Sequence, residues 1–268
     1  MVKKIKFVYL KNTKSVSLSG RGCSFDCAHC NKHYLEHMDD LQAPMPANIT
    51  NLLVSGGLKD DGSSFIFDRK QELLDLKQKG YTLNSHVGFV EPDEVEELAK
   101  IVDYVSFDFV TDAGTIKRVY KIDRTGKDYV KQYKMLSPKI KVYPHITIGL
   151  DQGKVHWEYE AIDKLAELGA DRIIFNVLIP TPGTEFSKVE KPKLSDIQKV
   201  FQHGRKIFSD GLMILGCMRP GGGYRTALDK IAVETGVNRI VQPTPGARAL
   251  AVEKGLEISY LYECCALD

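Results

Sequence analysis

The stretch SVSLSGRGCSFDCAHCNKHY, residues 15–34, runs from an alternating segment straight into a loop with three closely spaced thiols. SVSLSG (15–20) alternates apolar and polar residues and ends on glycine, which reads as a short strand. Cys23, Cys27 and Cys30 follow in the spacing C-x3-C-x2-C, and the next cysteine is Cys217. The reading of this strand and loop sets the frame for everything downstream.

Working outward, strand-like and helix-like segments alternate nearly to the end. Strands are predicted at 49–57, 81–89, 103–110, 139–150, 172–180, 211–217 and 238–242, from short apolar or alternating runs bounded by turn residues. Helices are predicted at 67–80, 91–102, 160–170, 194–208, 224–235 and 245–254, from apolar positions at helical spacing with Pro92 as an N-terminal signal and Gly80 and Gly169 as stops. Eight strands in strict alternation with helices predict an α/β protein with a parallel sheet, a (β/α)8 TIM-type barrel either closed or partly open. A doubly wound sheet is the competing architecture. No linker divides the chain, so residues 1–268 are expected to form one domain. The tail GLEISYLYECCALD (255–268) is expected to be a ninth extended segment folding back to close over the barrel.

Composition narrows the function classes. Lysine and arginine total 37 against 35 acidic residues, a net charge of +2, which leaves no electrostatic footprint for nucleic acid. No apolar run reaches the ~18 residues of a membrane span. The basic start MVKKIKFVYLKN lacks the apolar stretch and cleavage signature of a secretory leader, so a cytoplasmic location is expected. Six cysteines in a chain with 43% apolar residues are not needed as disulfide staples. Clustered cysteines in such a chain point to a metal or an iron–sulfur cluster.

In a barrel, the loops after the strands form the active-site face, and Cys23, Cys27 and Cys30 lie in the first of them. Three thiolates hold three corners of a [4Fe–4S] cluster and leave one iron open for an outside molecule. A zinc site is the alternative, with His29 or His33 as the fourth ligand. A second feature joins the first. VSGG (54–57) ends the second predicted strand with Gly56 and Gly57, residues that let a ligand approach the backbone closely.

The C-x3-C-x2-C loop after a first strand, followed by a Gly-Gly turn after the second, resembles the radical S-adenosylmethionine (SAM) superfamily. The resemblance implies that the open iron binds the amino and carboxylate groups of SAM, whose reductive cleavage yields a 5′-deoxyadenosyl radical. It also implies that Gly56 and Gly57 contact the methionine moiety. His29 stands where members usually carry an aromatic residue before the third cysteine. His86 and Asp108 end the third and fourth predicted strands, where relatives hold the ribose and the methionine carboxylate. HITIGLDQG (145–153) is similar to the fifth-strand segment that packs along adenine, with Asp151 as the acidic residue after it. DRTGKDYVK (123–131) resembles a helix start of biotin synthase-like members, in which Arg124 would reach a carboxylate.

A second set, Cys217, Cys264 and Cys265, would meet if the tail folds over the barrel mouth. Buried small hydrophobes are the plain reading of such residues. Three further thiolates suggest an auxiliary [4Fe–4S] cluster, with Arg219 or Arg225, a serine or a substrate atom as fourth ligand, since arginine ligation resembles biotin synthase. MRPGGGYR (218–225) reads as a close-approach loop over that cluster or SAM, or as a phosphate cradle. The three-plus-three cysteines with VLIPTPGTEF (177–186) resemble the biotin synthase and lipoyl synthase branch, above all one subunit of the archaeal-type two-component lipoyl synthases. Two departures stand out: the C-x4-C-x5-C motif of single-chain lipoyl synthases is absent ahead of Cys23, and the strands that carry biotin synthase's sulfur-cluster cysteines lack them here.

The resemblance implies a sulfurtransferase that inserts sulfur into an octanoyl chain on a lipoyl carrier protein or peptide, drawing on a sacrificial auxiliary cluster. It implies a second radical SAM subunit as partner, and the cluster chemistry calls for a low-potential electron donor such as a ferredoxin. Two alternatives stay open: a radical enzyme without sulfur insertion, such as a mutase or C–C bond-forming enzyme, and a binding or regulatory protein with a closed metal site.

Overall fold

Strands that alternate with helices can pair only in parallel, because each crossover returns the chain to the same end of the sheet. The computed structural model describes residues 3–267. Met1, Val2 and Asp268, the ends of the expected domain 1–268 and of the tail 255–268, lie outside the described residues. The nine predicted extended segments appear as β2 (Thr13–Ser17), β4 (Asn51–Ser55), β5 (Thr82–His86), β6 (Tyr104–Asp108), β7 (Lys141–Ile148), β8 (Arg172–Val177), β9 (Leu212–Leu215), β10 (Arg239–Val241) and β11 (Glu257–Leu261). The sequence reading missed β1 (Lys4–Val8) and the two-residue β3 (Asp39–Asp40). All pair in parallel in the order β11-β1-β10-β9-β8-β7-β6-β5-β4-β2-β3. The sheet curls into a half-barrel of the TIM type, the partly open form of the expected fold.

The helices expected from periodicity form as α1 (Lys70–Gln78), α2 (Val95–Ile101), α5 (Glu158–Glu167), α6 (Leu194–Ile207), α7 (Gly222–Glu234) and α8 (Pro245–Glu253). Two more complete the set. In α3 (Ala113–Val119) the Asp112 carboxylate caps the first turn by accepting from the Thr115 amide at 2.6 Å. In α4 (Gly126–Leu136) Thr125 and Asp128 make a capping box. Among the described residues, no helix is long and apolar enough to cross a membrane.

Strand alternation gives the sheet two unlike faces. Leu52, Val54, Leu83, Val105, Phe107, Ile146, Ile173, Phe175 and Leu215 face outward and pack with Leu73, Leu98, Ile116, Leu136, Ile162, Leu165, Phe201 and Leu228 from the helices. The inner face is split. Val8, Tyr143, Ile174, Ile214 and Val241 form a separate apolar cluster together with Cys264, Cys265, Ala266 and Leu267. Towards the C-terminal ends of the strands, the interior residues turn polar: Asn84, His86, Ser106, Asp108, His145 and Asn176.

The tail closes the barrel, but at the end opposite to the expected mouth. The Asn51 side chain, at the first residue of β4, donates to the Glu263 carboxylate. Arg239, the first residue of β10, donates to the carbonyls of Cys265 (3.3 Å) and Leu267. Tyr262 accepts from the Asn12 amide at 2.9 Å, just ahead of β2. These contacts anchor the tail at the N-terminal ends of the strands. They also tie β11 to β2, whose strands lie on opposite sides of the sheet opening.

Candidate functional site

The loop after β2 is built against the loop after β4. Gly57 donates its amide to Ser19 Oγ at 2.7 Å, Leu58 donates to Cys23 Sγ at 3.3 Å, and Ser24 donates to the Leu58 carbonyl at 2.8 Å. No larger residue fits at Gly57: a Cβ there would lie 2.0 Å from the Gly22 carbonyl oxygen and 2.5 Å from Cys23 Cα. The Gly-Gly turn is therefore part of the cysteine loop's bed. On the other side the loop is pinned by Ala28, whose amide donates to Val119 of α3 and whose carbonyl accepts from Phe186.

Cys23, Cys27 and Cys30 are all half-buried and unpaired. Burial, then Cys30, Cys23, Asp26 and Asp108, push the Cys27 thiol up to about 12. Burial likewise raises Cys30. A set of thiolates that repel one another in a partly desolvated loop is stable as thiolates only around a cation. The donor set and the amide aimed at Cys23 Sγ fit an iron–sulfur cluster with three protein ligands.

His29 lies between the second and third thiols. Burial lowers its pKa to about 4, its ring meets Tyr120 edge-on at 5.8 Å, and its Nδ1 has no hydrogen-bond partner. Beneath the loop, His86 and His145 have ring centroids 5.3 Å apart, and His145 Nδ1 is 2.9 Å from the Tyr143 carbonyl. Desolvation pushes the His86 imidazole down and, although Asp108 is exposed at the opening, the protein crowding around it pushes its carboxyl up, and each group opposes the shift of the other. His86, Asp108 and Cys27 thus share one interior region at the C-terminal ends of β5 and β6. Arg124 lies beside it, its guanidinium carbon 4.6 Å above the Phe89 ring, in a cleft of about 550 Å3 that Phe25, Asp26, Asp61 and Tyr120 also line.

Two of the expected contact residues are committed elsewhere. Asp151 is buried and accepts from Arg118 Nε at 2.9 Å, with His156 Nε2 at 3.0 Å. Arg219 is 2% exposed, pairs with Asp229 through Nε at 2.8 Å, and donates to the Gly216 and Val241 carbonyls. Its guanidinium braces the turn between β9 and α7 and has no free face for a cluster or for SAM. Arg225 donates to the Gln242 carbonyl at 3.0 Å.

The second cysteine set is spread along the interior. Cys217 is exposed beyond the C-terminal end of β9, while Cys264 and Cys265 are 7% and 6% exposed in the floor. Although its surface is open, the protein crowding around it desolvates the Cys217 thiol and raises it, and Cys264 raises it further. The Cys264 thiol is lowered to about 7 by hydrogen bonds from Cys265, the Ala266 amide and the Asn84 side chain, whose nitrogen is 3.5 Å away. Cys265 is pushed well up by the same contact with Cys264.

Sequence reasoning passed over Asn84, Ser106 and Asn176. Ser106 donates to Asn84 Oδ1 at 3.0 Å, and Asn176 Oδ1 is buried with no hydrogen-bond partner. The signal was in the strands themselves: a polar residue at an inward position of a parallel strand interrupts an otherwise apolar run.

Several solved structures share this architecture. Methylornithine synthase (PylB) superposes with a TM-score of 0.62 over 96% of this chain and 84% of its own, at 12% identity. The FeFe-hydrogenase maturase HydG from Carboxydothermus hydrogenoformans gives 0.65 over 89% of this chain and 59% of its own, at 14% identity. SuiB from Streptococcus suis, bound to S-adenosylmethionine, gives 0.55 over 84% and 52%, at 16% identity. The chain therefore spans little more than half the length of the latter two. No family model and no curated protein matches the chain in sequence. At these identities the shared property is the fold.

Proposed function

We propose that this chain is a radical SAM enzyme. The observation that carries the reading is the three-cysteine loop bedded on the Gly56–Gly57 turn, at the C-terminal end of an all-parallel half-barrel. In this reading Cys23, Cys27 and Cys30 hold a [4Fe–4S] cluster, and Gly56, Gly57 and His29 help to seat SAM. Cluster and SAM together supply hydrogen abstraction from an unactivated carbon. The chain's own part is placement and exclusion of water. His86 and Asp108, each opposing the other's shift, are placed to hold a proton at the interior wall. Arg124 is suited to a carboxylate in the adjoining cleft. Asp151 acts on the site only through Arg118 and His156. The test is anaerobic reconstitution followed by reductant and SAM. Release of 5′-deoxyadenosine that disappears in the Cys27→Ala variant is expected; its absence from cluster-loaded protein refutes the reading.

The finer reading is a sulfur-inserting component of a two-subunit lipoyl synthase, acting on an octanoylated carrier protein with a ferredoxin-type donor. Its support is the resemblance of the second cysteine set and the thiolate-favouring surroundings of Cys264, which suit a ligand of an auxiliary cluster. One observation favours a second reading, a radical enzyme without sulfur insertion. Cys264 and Cys265 are packed among apolar side chains, as structural cysteines are. Iron content of the Cys23→Ala/Cys27→Ala/Cys30→Ala variant separates the two. About four irons per chain support the auxiliary cluster, and about zero removes the sulfur source.

A further inference from the structure

The 3-10 turn His33–His37, immediately after the cysteine loop, has two unlike sides. One is anchored: Leu35 is buried, and the Tyr34 hydroxyl is 3.2 Å from Thr181 Oγ1. The other carries His33, Glu36 and His37, one ligand atom from each within 4.8 Å of the others, the only such group of three metal-binding side chains among the described residues. His33 Nδ1 is already 3.8 Å from Glu36 Oε2, and the two imidazole rings are 5.3 Å apart. Three other histidines are engaged: His156 with Asp151, His203 with Asp163, and His145 with the Tyr143 carbonyl. Among the described residues, the side chains of His33, Glu36 and His37 make no hydrogen bond to the rest of the protein.

We propose that His33, Glu36 and His37 form a site for a divalent late transition metal of the zinc class, separate from the cysteines. Two imidazoles and a carboxylate suit zinc, nickel or copper and not magnesium or calcium. Bonds of about 2.0–2.2 Å draw the three side chains inward by rotation about their own exposed bonds. Three protein ligands leave a position for water or an exogenous anion. The ion would clamp the turn that leads out of the cysteine loop from its solvent side, opposite the Tyr34 anchor. This inference does not depend on the reaction proposed above.

The test uses the cluster-loaded chain dialysed against zinc alone, with zinc and iron measured separately. One zinc per chain at unchanged iron is expected. The His33→Ala/His37→Ala variant should retain none, again at unchanged iron. The conservative Glu36→Gln should weaken zinc about 10–100-fold, the scale seen when a metal site loses a supporting group. No zinc in the wild type overturns the site. So does zinc that persists in the double variant, or zinc gained in step with iron lost, which would place it on the cysteines. Should the double variant lose iron as well, Glu36→Gln decides: unchanged zinc affinity overturns the proposal.

Discussion

At the scale of single residues, Gly57 makes the sharpest demand. Its missing Cβ is the space occupied by the Gly22 carbonyl and the Cys23 backbone. Because the obstruction is backbone, side-chain rotation cannot relieve it. Gly57→Ala is expected to cost about 1–3 kcal/mol or more and to lower iron uptake on reconstitution, whereas Gly223→Ala, with open space around it and no positive φ, should leave iron unchanged. Normal iron in Gly57→Ala would show that the two loops are not one unit.

His145 gives a pH signature. Burial pushes its imidazole down to about 3, while the unfolded chain titrates near 6.5. Below that value the unfolded chain takes up a proton the folded protein refuses. The His145 contribution is therefore complete above pH 6.5 and is lost as pH falls toward 3, at about 1.4 kcal/mol per pH unit. Stability should be about 2 kcal/mol lower at pH 5 than at pH 7 from this group. Urea unfolding at the two pH values measures it, and His145→Gln should show a shallower acid dependence.

The cysteine loop and the Gly-Gly turn were legible in the sequence because their chemistry is local: spacing and residue type carry it. The partners of Arg219 and Asp151 were not. Asp229 is separated from Arg219 by a turn and most of a helix's first half, and Arg118 lies on a helix upstream of Asp151. Only the fold brings these charges together. The Arg219–Asp229 pair is wholly buried on both sides, so removing one partner strands the other. Asp229→Ala is expected to destabilise by about 3–5 kcal/mol, measurable by denaturant unfolding.

At the scale of elements, the strands that alternate or run apolar between turns were all readable, and their ends shifted by a few residues. The first strand was missed because KIKFV (4–8) is short and basic, and its alternation shows only once its inward and outward sides are seen. Helix α3 was missed because it is only seven residues long and its start signal, Asp112, sits in a loop-like context. The tail was recognised as extended, but its destination was not. Sequence cannot tell which end of a barrel a segment returns to, since apolar residues suit either. The deciding contacts are the polar ones, Asn51 with Glu263 and Arg239 with the carbonyls of Cys265 and Leu267. Ending the chain after Tyr262 removes a buried leucine, an alanine and two cysteines from the floor. It should cost about 4 kcal/mol at the usual worth of buried apolar side chains, with a lowered melting temperature as the readout.

At the scale of the whole molecule, the sheet is an open ribbon whose first and last strands are neighbours, β1 with β11. The same N-terminal segment crosses from β1 to β2, so both sides of the opening belong to residues 4–17 and to the tail that rests on them. The α/β barrel class followed from alternation alone. That it is open, and that β11 rather than β2 lies beside β1, came from register, which no single segment encodes.

The tail fills one end of the half-barrel, so whatever enters its interior does so from the C-terminal ends of the strands or through the open side of the sheet, and it goes no deeper than the layer that holds Cys264 and Cys265.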